Sequence, residues 1–160
     1  MIKVDIKVSG VINTLNKLAA IDYQLFLKEA TDTTVEFVKG RFKSGESASG
    51  DKWAANKGAY AEWKERAGYG DKPLTLTGEL RDAIYGKTTK DVGVVTVRAS
   101  MHSAIQDYPW GSTAISLRAI AMRHEFGQGG IEARPFMAIN SKEVDYIVGL
   151  LNARVEGALI

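Results

Sequence analysis

Ser141-Lys142-Glu143-Val144-Asp145-Tyr146-Ile147-Val148-Gly149-Leu150-Leu151-Asn152-Ala153-Arg154-Val155-Glu156-Gly157-Ala158-Leu159-Ile160 is the most strongly patterned stretch of the sequence. Val144, Ile147, Val148, Leu151, Val155 and Leu159 recur there at helical spacing, which lines one side of a helix. The spacing predicts a long amphipathic helix over 141–160, and such a helix needs a second layer to pack on. A comparable pattern lies early in the chain. Asp22 stands as an N-cap, and Phe26, Ala30, Thr33, Phe37, Val38 and Phe42 follow at steps that predict one buried helical face.

Between these helices the period changes. Val92, Val95 and Val97 alternate with polar residues after a Thr-Lys-Asp turn, so 85–99 is predicted to be a β-hairpin. Residues 2–8, Ile-Lys-Val-Asp-Ile-Lys-Val, alternate strictly and predict a half-buried strand. Shorter helices are expected over 11–19 (Ile12, Leu15, Leu18), from Tyr60 to Arg66, and after Thr77, with Leu80, Ala83 and Ile84 facing inward. A further helix is expected over 113–126, with Ile115, Ala119, Met122 and Phe126 on one side. The Ser/Gly-rich stretch 43–51 and the turn-rich stretch 67–73 read as exposed loops. Pro135 biases the Arg134–Met137 segment toward extended backbone. The sum is an α+β domain: one small antiparallel sheet packed with long amphipathic helices and carrying extended loops.

Composition narrows the function. Apolar residues are 45% and charged residues 25% of 160, an ordinary globular balance for one domain. The net charge of +2 is spread along the chain, unlike the concentrated Lys/Arg of a nucleic-acid binder. There is no cysteine, which removes disulfides, thiolate nucleophiles and Cys-ligated metals. The charged N-terminal residues do not form a signal peptide, and no apolar run approaches the roughly 18 residues of a membrane span. A soluble protein made in the cytoplasm is expected.

The chemistry-bearing patterns are incomplete. Gly45 to Lys52 has glycines five apart, but its lysine is not adjacent to the second glycine and no Ser/Thr follows, so it is not a phosphate loop. His124-Glu125 begins like a zinc-peptidase helix, yet residue 128 is Gln where a second His is required. His124 is therefore expected to be a partly buried ring hydrogen-bonded to backbone. Trp53, Trp63 and Trp110 are expected to anchor loops or an interface. No catalytic, cofactor or metal set emerges.

Several pieces in order carry a resemblance. They are Gly50-Asp51-Lys52-Trp53 after a helix ending at Phe42, Leu74-Thr75-Leu76-Thr77-Gly78-Glu79-Leu80, His124-Glu125-Phe126-Gly127, and Ala133-Arg134-Pro135-Phe136-Met137 before the closing helix. From Ile12 onward the chain resembles the phage virion morphogenesis family of tail-completion proteins, and more broadly siphophage neck proteins. It departs from the family in lacking a Pro before the Gly-x-x-Trp turn and in a longer 102–119 segment.

The resemblance implies a structural protein, not an enzyme. It would form a homo-oligomeric ring, a hexamer, at the head–tail junction or the top of the tail. Its partners would be tail-tube and head-connector or neck proteins, with DNA passing transiently through the lumen and no membrane. It would be assembled in the bacterial host cytoplasm and end in the virion. The motif residues Phe42, Trp53, Gly78, Leu80, His124, Phe126, Gly127, Arg134, Pro135 and Phe136 would serve architecture. Gly78 would allow close packing, Gly127 a bend, Phe136 a core contact and Arg134 a subunit-interface or carboxylate contact. Loops 43–52 and 66–73 would order on a neighbour. The rival expectation is a nucleic-acid-binding module built on the 41–72 region, where Lys52, Lys57, Lys64, Arg66 and Lys72 accompany Trp53 and Trp63. A second rival is a hydrolase using His124 and a carboxylate.

Overall fold

Helix α2 (Tyr23–Ser44) organises the fold. The Asp22 carboxylate accepts the Leu25 amide at 2.9 Å, so the helix starts at the expected cap. It stops where Gly45 turns left-handed (φ 75°) and donates its amide to the Arg41 carbonyl at 2.7 Å. The computed structural model describes residues 9–103, 109 and 115–160. Around α2 stand α1 (Ser9–Ala19), α3 (Gly58–Arg66), α4 (Glu79–Asp82), β1 (Ile84–Thr88), β2 (Gly93–Val97), α5 (Leu117–Phe126) and α6 (Ser141–Leu159). The architecture is α+β, as the sequence predicts. The alternating segment 2–8 and the aromatics Tyr108 and Trp110 lie outside the described residues.

The hairpin is antiparallel, with Ile84 opposite Val97 and Thr88 opposite Gly93. It lies flat on α2 because two of its residues have no side chain. A Cβ on Gly86 would stand 2.5 Å from Thr31 Cγ2, and one on Gly93 2.0 Å from Thr31 Oγ1. The buried stripe of α2 is therefore Thr31, Val35, Val38 and Phe42. The expected stripe through Phe26, Ala30, Thr33 and Phe37 is half-buried and turned elsewhere: Phe37 meets Tyr146 of α6 edge to face, centroids 5.8 Å apart. A helix gripped from two sides buries two stripes, and a sequence pattern merges them into one.

The core gathers Val38, Phe42, Trp53, Leu80, Ile84, Val97, Leu117 and Phe136. Leu80, Ala83 and Ile84 all face it as predicted, although the helix there is one short turn, α4. Helix α5 is rotated from the expected phase. Leu117 and Ala121 are buried while Met122 and Phe126 are exposed. Its start is pinned by Leu117 N–H donating to the Ser100 carbonyl at 2.9 Å and Arg118 Nε to the Val97 carbonyl at 3.2 Å. These bonds to the strand side, not the apolar spacing, set the rotation.

Helix α6 starts on a capping box. Asn140 and Glu143 form a reciprocal capping box, each side chain accepting the other's amide at 2.9 Å. Yet none of its residues is buried. Ile147, Leu151 and Val155 are half-covered, whereas Val144, Val148 and Leu159 of the expected stripe are exposed. Ile12 and Leu15 of the neighbouring α1 are exposed too, against expectation. The two loops are less free than their composition suggests. Trp53 N–H donates to the Gly45 carbonyl and Ser47 N–H to Asp51, closing 45–53 on itself. Asn56 Nδ2 donates to the Asp71 carbonyl at 2.7 Å, and Lys64 Nζ to the Lys72 carbonyl.

Candidate functional site

The segment Arg134–Met137 belongs to no helix or strand and bends at Met137, and its backbone is claimed from several directions. The Arg134 amide donates to the His124 carbonyl at 2.6 Å. Trp53 Nε1 donates to the Pro135 carbonyl at 3.0 Å, and Arg41 Nη1 to the Phe136 carbonyl at 2.6 Å. The Glu125 carboxylate accepts the amides of Phe136 and Met137 at 2.8 and 3.2 Å. The Phe136 ring is fully buried and meets Phe42 edge to face at 5.2 Å, while Phe42 meets Trp53 the same way at 5.4 Å. Sequence motifs 80 to 95 residues apart thus form one strap-and-socket, with Phe42, Trp53, His124, Pro135 and Phe136 in it.

Arg134 is buried and spends its guanidinium inside the chain. Nε donates to the Ala54 carbonyl at 2.7 Å, Nη2 to the Ala55 carbonyl at 3.0 Å, and Nη1 approaches His124 Nδ1 at 3.4 Å. The expected interface or carboxylate contact is replaced by an internal staple joining the strap to residues 54–55. His124 is partly buried as predicted, but its Nδ1 faces this cation rather than backbone. Burial, then the adjacent Arg134 charge, lowers its pKa to about 4, so the ring is neutral at pH 7.

Gly78 and Gly127 are required for different reasons. Gly78 has φ 83° and caps α4, with only ordinary contacts around a hypothetical Cβ, so conformation rather than close packing demands glycine there. Gly127 has φ 67° at the end of α5, and a Cβ would press on the Ala133 amide at 3.1 Å. Phe126 is not part of the socket: it is 66% exposed.

Two residues of the socket, Arg41 and Glu143, lie outside the motifs, and Glu125 lies inside one without an expected role. Arg41 bonds Phe136 with one nitrogen and Glu143 with another, the latter at 2.6 Å, and both side chains are nearly covered. Arg41 sits one turn from Val38 on the apolar side of α2, and a cation in that phase is the clue. Glu143 stands three residues after Asn140, the spacing of a capping box, whereas Glu125 has no such clue.

Beside the strap is a cavity of about 670 Å³. Leu74, Leu76, Leu80, Ile120 and Ile131 give it an apolar body. Lys57, Arg123 and Arg134 bring positive charge to its wall against the single carboxylate of Glu132, which pairs with Lys57 at 2.9 Å. Arg123 has no side-chain partner among the described residues. Leu74 holds φ 59°, a left-handed backbone for a bulky residue, which costs on the order of 1 kcal/mol and is sustained by its packing against the core. Among the described residues no group of three or more His, Asp or Glu converges as a metal site, and no helix is long and apolar enough to cross a membrane.

Compared with protein-family models, curated proteins and solved structures, the chain matches none.

Proposed function

We propose that the chain is a structural virion-assembly protein, a ring-forming subunit at the head–tail junction or the top of a phage tail. The observation that carries this reading is the uncovered apolar surface of α6 and α1. Val144, Tyr146, Val148 and Leu159 are exposed on a well-capped helix, and Ile12 and Leu15 on the helix beside it. A helix so strongly started and so little buried is a surface for another protein. Of the residues that carry the resemblance, Phe42, Trp53, His124, Arg134, Pro135 and Phe136 meet in the strap and socket, where their contacts hold a scaffold together. A head-to-tail contact closes into a ring when the rotation per copy divides a full turn.

The nucleic-acid reading has less support. Trp53 and Trp63 are buried and offer no stacking platform, Lys64 is buried, and Lys57 is paired with Glu132. A hydrolase would need a carboxylate to orient His124. The nearest charged group to the ring is Arg134, and Glu125 is occupied by two amides. The test is the mass of the purified chain by light scattering, alone and with tail tubes of its virion. A closed assembly of about six or twelve copies, alone or only on tubes, is expected; a monomer in both settings overturns the proposal.

A further inference from the structure

Gly86 and Gly93 turn one face of the hairpin onto Thr31 of α2, and Ile84 and Val97 are buried on that same side. Side chains alternate across a strand. Tyr85, Lys87, Val94 and Thr96 therefore stand on the opposite side, with Tyr85 across from Thr96 and Lys87 across from Val94. Arg98 continues the alternation one residue past β2, where its amide still donates to the Ala83 carbonyl at 3.0 Å. This outward face carries two cations and no carboxylate.

Both cations are held over the Tyr85 ring, Lys87 Nζ at 5.6 Å from its centroid and Arg98 Cζ at 5.4 Å. An aromatic face orients a cation without cancelling its charge. Lys87 and Arg98 are exposed, and neither forms an ion pair among the described residues. Lys90 adds a third exposed cation at the turn, whose backbone is fixed because Gln24 Nε2 donates to the Lys90 carbonyl. Against these three the hairpin sets one carboxylate, Asp91. Tyr85 and Arg98 also border an open groove along α2, but its acids are already engaged. Glu29 pairs with Arg154, Asp32 with Lys28 and Asp82 with Arg81, and Lys39 lines the groove along with Glu36.

We infer that the outward face of the hairpin is a sequence-independent contact for the phosphate backbone of duplex DNA, made by Lys87, Lys90 and Arg98 around Tyr85. Fixed, uncompensated cations on an open sheet face suit a repeating polyanion, which needs no pocket to seat it. The face has no Asn or Gln to read base edges, so its contacts position without specifying. It is separate from the 41–72 region, whose tryptophans are buried. The inference rests on the ring reading: a closed ring repeats the face in every copy, so a few cations per copy add up around DNA in the lumen.

The test is fluorescence anisotropy of the full-length chain with labelled random-sequence duplex DNA over a salt series. Three phosphate contacts per copy predict a slope of log K against log salt of at least about −2.7, or about fortyfold weaker binding from 50 to 200 mM salt. The Lys87→Gln, Lys90→Gln, Arg98→Gln variant is expected to lose tenfold or more in affinity and most of that slope. The Lys43→Gln, Lys52→Gln, Arg66→Gln variant, equal in charge and exposed in the rival region, is expected to bind as the parent does. No DNA binding by the parent chain at 50 mM salt overturns the inference, as does a loss confined to the second variant. Binding to polyglutamate but not to DNA also overturns it and assigns the face to an acidic protein surface. Light scattering of the same samples keeps the two readings apart. An assembly of normal mass that ignores DNA removes this contact alone, whereas a monomer that still binds DNA through the hairpin removes the ring and leaves the face.

Discussion

The strap Arg134–Met137 and the helix α6 that follows it within a few residues are built in opposite ways. The strap has no regular secondary structure, yet its amides and carbonyls are met by Trp53, Arg41, Glu125 and His124, and Phe136 is fully buried. Helix α6 satisfies its own backbone as a helix does and starts on a capping box, yet buries no residue. Regularity and burial are separate quantities. An irregular segment is held by the specific partners it captures, whereas a helix satisfies its own backbone and leaves its apolar side chains available.

That contrast is open to direct attack. Phe136→Ala is expected to cost about 4 kcal/mol, since it empties a fully buried ring site packed against Phe42; urea unfolding measures it. Arg41→Met should cost about 3 kcal/mol, because it strands the Glu143 carboxylate and the Phe136 carbonyl in a covered site. Arg41→Met with Glu143→Gln should recover part of that loss.

The His124 ring supplies a pH test. Its folded pKa of about 4 is below the ordinary 6.5, so in this window the unfolded chain binds more protons. The contribution is complete above pH 6.5 and is lost as pH falls toward 4. Stability should drop by about 2 kcal/mol between pH 7 and pH 5, and His124→Gln should remove that share of the slope. A slope unchanged in the variant would mean that the ring is not the titrating group. On α6, Val148→Lys should change unfolding stability by less than about 0.5 kcal/mol while reducing self-association in light scattering. A large loss of stability there would place α6 among the buried elements and erase the contrast.

Much of the architecture was legible because local patterns report local structure. The Asp22 cap, the hairpin and the onset of α6 all follow from residues close in sequence. The phase of α5 did not, since it is set by Leu117 and Arg118 reaching Ser100 and Val97 across the chain. The motif residues were found by resemblance, but their joint geometry was hidden. Arg134 looks like a surface cation until Ala54 and Ala55 turn their carbonyls toward it. The cavity was invisible for the same reason: its wall is assembled from separate stretches of chain with no common pattern.

The meeting of Thr31 with Gly86 and Gly93 has an evolutionary reading. One side chain fills the space that two side chains on the hairpin would otherwise take, and it is tethered by its hydroxyl to the Leu27 carbonyl at 2.6 Å. A diverging lineage cannot enlarge residue 86 or 93 first, because each step lands on Thr31. It must first shrink residue 31, to alanine or glycine, and only then is either hairpin position released. These three positions form a lock whose order of opening is fixed. Across relatives, a larger residue at 86 or 93 should therefore be found only beside a smaller one at 31.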